Sequence, residues 1–384
     1  MIKLVHCADI HLDSAFASEN AQKASVRRKE LRETFKRMIS EAKKFGADIV
    51  LIAGDLFDGK NTSKDTTDLI VSLFASFPEC KFVISPGNHD FYTPDSVWSK
   101  IAFSENVFVF KSEELEKLTF ENVGEDSEKV NIYGYAFTSQ NMEKSPIRDF
   151  KVGESDKNDI NILCAHADIF SRTSNYCPMT ADEIVESGFD YGALGHVHTD
   201  GKIVREKDTW YGYSGSLEGQ SFHDCGERGA FFVTLDKKEG KTVCECEFLP
   251  LAKRVYICED IDLSGSVSHE DIFEKVRAFA AKHTYDERTL LRLTLVGDIS
   301  PSVNLPTQTI NAAFSEVFLL EIKDNTLPIF DCDALENDLT VKGAFFRELL
   351  PALGSEDERE RAVASKALKY GLAALSGGEV IDFE

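Results

Sequence analysis

No apolar run in this sequence approaches the roughly 20 residues that a helix needs to cross a bilayer. The opening residues, Met1-Ile2-Lys3-Leu4-Val5-His6-Cys7, enter a strand-like pattern at once, so neither a membrane span nor a leader peptide is expected ahead of the first motif. Cysteine builds no framework: nine are scattered without paired spacing, and an odd count of this kind predicts reduced thiols in a cytoplasmic protein. Cys244 and Cys246 alternate with acidic residues and do not resemble a zinc pair. Positive charge is also short. Lys plus Arg total 43 against 66 Asp plus Glu, which leaves a net charge of −23. Such a surface repels a phosphate polymer overall, so contact with nucleic acid requires local help from divalent ions or from a basic partner.

What the sequence does hold is a set of short donor-rich runs, each at the end of a predicted strand. At 384 residues the chain has room for two or three domains of roughly 150 residues each. Residues 2–8 read as a buried strand, followed by Asp9 and His11, two apart and so on one face. Residues 48–53 form a second, which ends in Gly54-Asp55-Leu56-Phe57-Asp58; the two oxygens of Asp55 suit it to bridge two cations. A third, at 81–85, leads to Pro86-Gly87-Asn88-His89-Asp90, where Asn88 offers a neutral oxygen and His89 an imidazole. Residues 160–166 read as a buried strand with His166 at its end, and residues 191–198 as a strand ending in Gly195-His196-Val197-His198.

Helices are predicted between these strands. Over 26–45 the apolar residues Leu31, Phe35, Met38, Ile39 and Ala42 recur on one face. Arg27, Arg28, Lys29, Arg32, Lys36 and Lys43 lie on the other, as a solvated face or a local phosphate-contacting patch. Further helices are expected over 66–77 and 180–187, and an exposed loop over 141–159. The alternating pattern over 107–135 predicts a second sheet. His6, inside a strand, reads as a core residue, while His223 lies in a glycine-flanked loop that could approach a substrate. Beyond residue 253 a strand, helix and strand over 255–296 read as a small α/β unit. Helical patterns follow over 335–353 and 357–375, the first carrying Leu339, Val341, Phe345, Phe346, Leu349 and Leu350 as an apolar stripe, with Pro351 and Gly354 marking its break.

In order and spacing these five runs resemble the calcineurin-like metallophosphoesterases. Within that superfamily the chain is similar to the SbcD-type DNA-repair exonuclease family, in its YhaO-like branch, through His6 to Ser14, Gly54 to Asp58, Tyr213-Ser214-Gly215-Ser216 and Gly226-Glu227-Arg228-Gly229. The run Thr340 to Phe346 and the ending Gly371 to Leu375 resemble the tail of that branch, whereas Asp13 stands where these proteins usually carry glycine.

The resemblance implies an α/β sandwich of two mixed β-sheets flanked by helices over 1–253, a small α/β capping domain over 254–330 and a C-terminal helical docking or packing region over 331–384. It implies one metal held by Asp9, His11, Asp55 and His198 and another by Asp55, Asn88, His166 and His196. Paired ions of this kind clamp phosphate oxygens and lower the pKa of a shared water, so that a bridging hydroxide attacks phosphorus in line. His89 is then free to protonate the leaving oxygen or stabilise charge, with Asp58 orienting it. Oxygen and imidazole ligands suit manganese, with iron or zinc as alternatives. The implied function is a two-metal DNA phosphodiesterase acting in repair, with DNA ends as substrate, a homodimeric state and a coiled-coil ATPase of the SbcC type as partner. A phosphodiesterase for a small nucleotide or phosphoprotein, or a scaffold for the ATPase, are the alternatives.

Overall fold

The computed structural model describes residues 1–16, 20–59, 62–198, 201–238, 240–300, 303, 305, 307–329 and 331–375. The chain divides into two units, Met1–Val255 and Tyr256–Glu384. In chain order the first holds β1 (Ile2–Cys7), α1 (Ala21–Phe45), β2 (Ile49–Ile52), α2 (Lys64–Ala75), β3 (Lys81–Ile84), α3 (Val97–Lys100), β4 (Val107–Val109), β5 (Glu116–Val123), β6 (Glu128–Gly134), β7 (Ile160–His166), α4 (Ala181–Glu186), β8 (Tyr191–Gly195), β9 (Lys202–Glu206), β10 (Thr209–Tyr213), β11 (Gly229–Lys238) and β12 (Lys241–Pro250).

Two six-stranded sheets result, in the orders β12-β11-β1-β2-β3-β4 and β5-β6-β7-β8-β10-β9. The strands β1 to β4 run parallel, as do β6, β7, β8 and β10; β11 and β12 extend the first sheet, and β5 and β9 the second, through antiparallel pairs. Side chains alternate across a strand, so each buried strand serves two cores. Leu4, Leu51 and Val83 of the first sheet share one cluster with Ile162, Cys164 and Ala193 of the second, which is the filling of the sandwich. Their neighbours Val5, Val50, Ile52 and Phe82 pack outward on Leu31, Phe35, Met38, Ile70 and Phe74 of α1 and α2. On the far side, Leu163 and Leu194 meet Met142, Ile147, Val152 and Ile184. The polar stretch 141–159 is therefore a loop, as its pattern predicts, but one pinned down by three buried apolar side chains.

Gly195, the last residue of β8, lies against the ends of the first sheet's β1 and β2. A Cβ placed there would lie 1.8 Å from the Ala53 carbonyl oxygen and 2.7 Å from the Ala8 Cβ. Neither neighbour can move without shifting a central strand of the first sheet. Gly195→Ala is expected to destabilise the protein by at least the ~1–3 kcal/mol typical of overpacking, measured by denaturant unfolding.

The helix α1 starts five residues before the expected position, because Asn20 caps it by accepting the Lys23 N–H at 2.9 Å. Its basic residues do not form one solvated face. Arg27 is fully buried: Nη1 donates to Glu218 Oε2 at 3.2 Å and Nη2 to the Gly219 carbonyl at 2.8 Å, while Thr34 donates to the other Glu218 oxygen at 2.6 Å. Arg32 pairs with Asp13 at 3.1 Å. Breaking a buried ion pair leaves its partner uncompensated, so Arg27→Ala is expected to cost about 3–5 kcal/mol of stability, and Arg27→Ala with Glu218→Gln less than the single change. Urea unfolding of the two variants measures both.

The second unit holds β13 (Val255–Asp262), α5 (His269–Ala280), β14 (Thr289–Ile299), α6 (Thr307–Ala313), β15 (Leu319–Pro328), α7 (Cys332–Glu336), α8 (Val341–Leu353) and α9 (Glu358–Leu375). Its three-stranded sheet, ordered β13-β14-β15, packs Leu291, Leu293 and Leu295 on Ile272, Val276 and Ile310. The pattern over 335–353 resolves into two helices, since Asp338 and Thr340 bond local backbone N–H groups and interrupt it. Pro351 lies inside the last turn of α8 instead of ending it. The expected stripe is also split: Phe346 is buried with Leu368 and Leu372, while Leu339 and Val341 are 97% and 68% exposed. Of the tail expected over 331–384, residues 376–384 lie outside the described residues. No helix among the described residues is long and apolar enough to cross a membrane.

Candidate metal centre

The five donor runs follow the carboxyl ends of β1, β2, β3, β7 and β8, all parallel strands at the middle of the two sheets. In open α/β sheets that is the end at which ligands gather. Parity does part of the aiming. His166 continues the face of Ile160, Ile162 and Cys164, so it points into the sandwich, where Nδ1 lies 3.0 Å from the Ala53 carbonyl.

The first two loops are laced together. Asp9 donates its N–H to the Gly54 carbonyl, Ile10 and His11 both to that of Asp55, and Leu12 to that of Leu56, at 2.8–3.1 Å. To make these bonds Asp9, His11 and Asp55 each adopt φ of 50°, a left-handed conformation that costs of order 1–3 kcal/mol per residue and collects at functional sites. His196 is also left-handed, and its N–H donates to both Asp9 oxygens at 3.1 and 3.0 Å.

All seven expected metal ligands and both expected catalytic residues meet here. Donor atoms of Asp9, His11 and His198 lie within 4.8 Å of one another, as do those of Asp9, Asp55 and His166, and of His11, Asp58 and His89. Asp55 Oδ2 is 3.3 Å from His166 Nε2 and 3.7 Å from His11 Nε2. Asn88 Oδ1 is 2.9 Å from His166 Nε2, and the ring of His196 is 5.1 Å from that of His166. Asp55 Oδ1 accepts the His89 N–H at 3.0 Å. His89 itself differs from the rest: its side chain is 48% exposed, and Nδ1 bonds Asp58 Oδ1 at 3.1 Å. Gly87 makes room for this packing, because a Cβ there would lie 2.2 Å from Asp55 Oδ1.

Charge and burial set the proton affinities. Burial raises the Asp9 carboxyl, against the pull of His198 and His166. At Asp55 burial acts upward too, but His166, His11 and His89 outweigh it and hold the carboxyl well below the usual range. Burial opposes a proton on His166, yet Asp55 and Asp9 push its pKa up to about 9. His196 goes the other way, down to about 4, through burial and the proximity of His166. The Asp58 hydrogen bond raises His89, while His11 and His89 hold Asp58 low.

This donor set fits a pair of divalent cations. It is made of carboxylate, amide oxygen and imidazole, without thiolate, and it gathers two buried aspartates that a cation would relieve of mutual repulsion.

Several supporting groups had no role in the sequence reading. Asp90 is buried and accepts N–H bonds from Gly87, Leu56 and Phe57 at 2.7, 2.9 and 3.2 Å, tying the second and third loops together. Burial and Asp55 push its carboxyl up to about 7. Asp224 faces His198 Nδ1 at 3.5 Å, and Arg228 donates to the His198 carbonyl at 3.0 Å. Tyr176 packs on His196 with centroids 4.8 Å apart. The glycine-flanked run near residue 226 was the available signal, but it pointed to His223, which is exposed, and not to its neighbour Asp224. His6 is the expected core residue, bonded to Tyr191 Oη at 3.0 Å and facing the Leu194 carbonyl at 3.1 Å.

Oxygen and imidazole donors gathered at the strand ends of a two-sheet sandwich define a metal-dependent phosphoesterase. A profile of the calcineurin-like phosphoesterase family matches residues 2–200, and the chain belongs to that family. Among its relatives, the uncharacterized metallophosphoesterase YhaO of Bacillus subtilis is 28% identical over 237 residues, covering 60% of this chain and 57% of that protein. The DNA double-strand break repair protein Mre11 of Methanopyrus kandleri is 23% identical over 290 residues, 72% of this chain and 62% of that one. Mre11 of Halobacterium salinarum is 26% identical over 313 residues, 78% of this chain and 71% of its own. The chain thus spans less than two thirds of the length of the first two.

Proposed function

We propose that this protein is a DNA phosphodiesterase of the SbcD type, acting on strand ends in DNA repair with two divalent ions, manganese by preference. The observation that carries this reading is the reach of the likeness to the break-repair relatives. A match over 72% of this chain is longer than the first unit's 255 of 384 residues, so it extends into the second unit. In this reading residues 254–330 cap the site and the helices beyond 331 serve an ATPase partner. The homodimer and the cytoplasmic setting belong to the same proposal.

Asp9, His11, Asp55 and His198 would hold one ion and Asp55, Asn88, His166 and His196 the other. When bound, such a pair neutralises phosphate oxygens and supplies a water activated near neutral pH. The chain's own residues do the rest. Asp224 and Arg228 fix the ring and backbone of His198, Asp90 fixes the loops that carry Asp55 and His89, and Asp58 keeps a proton on His89 for the leaving oxygen. The net charge of −23 favours a second reading, a diesterase for a small nucleotide.

The purified protein with manganese, given end-labelled duplex, single-stranded DNA and a small bis-aryl phosphodiester in parallel at low salt, separates the two. Metal-dependent shortening of DNA from its ends is the expected result. Turnover of the small diester alone would overturn the DNA reading.

A further inference from the structure

Among the exposed large hydrophobic side chains of the described residues, Phe170 is the one aromatic, and it is 73% exposed. It lies four residues beyond His166, in the loop that also supplies Tyr176 to the ring of His196. Its position is built, not loose. The Asp168 side chain accepts the N–H groups of Phe170 and Ser171 at 2.9 and 3.2 Å, and Asp168 is tied by its own N–H to the Tyr176 carbonyl at 3.0 Å. The Phe170 ring stacks on Tyr213, with centroids 5.8 Å apart and planes 24° from parallel. Tyr213 is in turn fixed at its hydroxyl, which accepts the Ile169 N–H at 3.0 Å and donates to the Ala167 carbonyl at 2.8 Å. One face of Phe170 is thus backed by a rigid ring and the other is open. Two residues on, Arg172 is exposed and pairs with no carboxylate among the described residues.

We propose that Phe170 is the stacking platform for an unpaired nucleobase at the strand end, next to the phosphate presented to the metal centre. The inference rests on the DNA reading above and names the part of the substrate recognised beside the scissile phosphate. Every base offers a π-face, so a stack of this kind holds single-stranded ends without regard to sequence. Arg172, exposed two residues on, offers a cation for the neighbouring phosphate. The arrangement also suits an acidic protein: where net charge opposes a polyanion, binding must draw more on contacts that carry no charge.

The test compares oligonucleotides of one length whose terminal residues are either ordinary or abasic, on the wild type, Phe170→Ala and Phe170→Trp. The wild type is expected to show a KM about ten-fold or more lower for the base-bearing ends, in the range of one base stack. Phe170→Ala should lose that preference and Phe170→Trp keep it. A terminal 2-aminopurine, titrated with manganese-loaded protein carrying His89→Ala to suppress turnover, should change fluorescence on binding with Phe170 or Phe170→Trp but not with Phe170→Ala. Equal KM values for base-bearing and abasic ends in the wild type, or a preference that survives in Phe170→Ala, would overturn the inference while leaving the nuclease intact. A change confined to sedimentation would assign Phe170 to a protein interface and overturn it as well. Turnover of small diesters with no cleavage of any oligonucleotide would instead sink the DNA reading, and the stacking role with it.

Discussion

His89→Ala is expected to keep the metal content of the wild type and to lower phosphodiester turnover by about 10²–10⁴-fold, the usual range for a positioned acid or base. The expectation follows from how His89 is placed. Its backbone N–H is tied to Asp55 and its Nδ1 to Asp58, so the ring is oriented while its side chain stays 48% exposed at the mouth of the site. Asp9, His11, Asp55, Asn88 and His166 are buried and His196 and His198 partly so, whereas His89 is the most exposed of the group. Metal content by elemental analysis, together with kcat on a small diester, separates the two possibilities: loss of metal in the variant would make His89 a ligand, and unchanged turnover would remove its catalytic role.

The same residue sets a pH dependence. Asp58 raises the His89 pKa above its ordinary 6.5, so the protonated form persists to higher pH. A rate that needs that proton falls as pH rises through the raised value. In Asp58→Asn the falling limb should move down toward 6.5, with metal content unchanged. The linked stability has the same sign: the contribution of protonated His89 is fully present below 6.5 and lost as pH rises through the folded value. Asp58, held low, contributes above its ordinary 3.8 and loses that contribution as pH falls through the folded value. A falling limb that does not move in Asp58→Asn would detach the limb from His89.

Asp55→Asn is expected to have an effect larger still, because both oxygens are in use. Oδ1 receives the His89 N–H at 3.0 Å, and Oδ2 lies between His166 at 3.3 Å and His11 at 3.7 Å. An amide keeps the shape but offers one oxygen and no negative charge. Bound manganese should fall below that of the wild type, and the rise in melting temperature on adding manganese should shrink or vanish, since a ligand stabilises only as far as it binds the folded state. Turnover should fall further than the loss of about 10²–10⁴-fold expected of His89→Ala. Full metal content with a normal thermal shift would remove Asp55 from the bridging position.

The sequence by itself determined the central strands and set donor-type residues at their ends. Apolar runs before Asp9, Asp55, Asn88, His166 and His196 are buried on both faces of their strands, and such runs are legible without a structure because burial on two sides leaves no alternation to misread. It was also legible that each donor comes at a strand end. Short edge strands such as β9, with Lys202, Arg205 and Glu206 exposed, carry too little apolar pattern to be seen. Only the tertiary structure decided which groups support the donors. Arg27 looks like one of a row of surface cations, and what buries it is Glu218, 191 residues away. Asp224 reaches His198, and Asp90 reaches Leu56, through contacts that local spacing does not encode. The left-handed backbone at Asp9, His11 and Asp55 has the same origin. No local preference of aspartate or histidine demands it; the interlocked loops impose it, and the packing of the two sheets holds it.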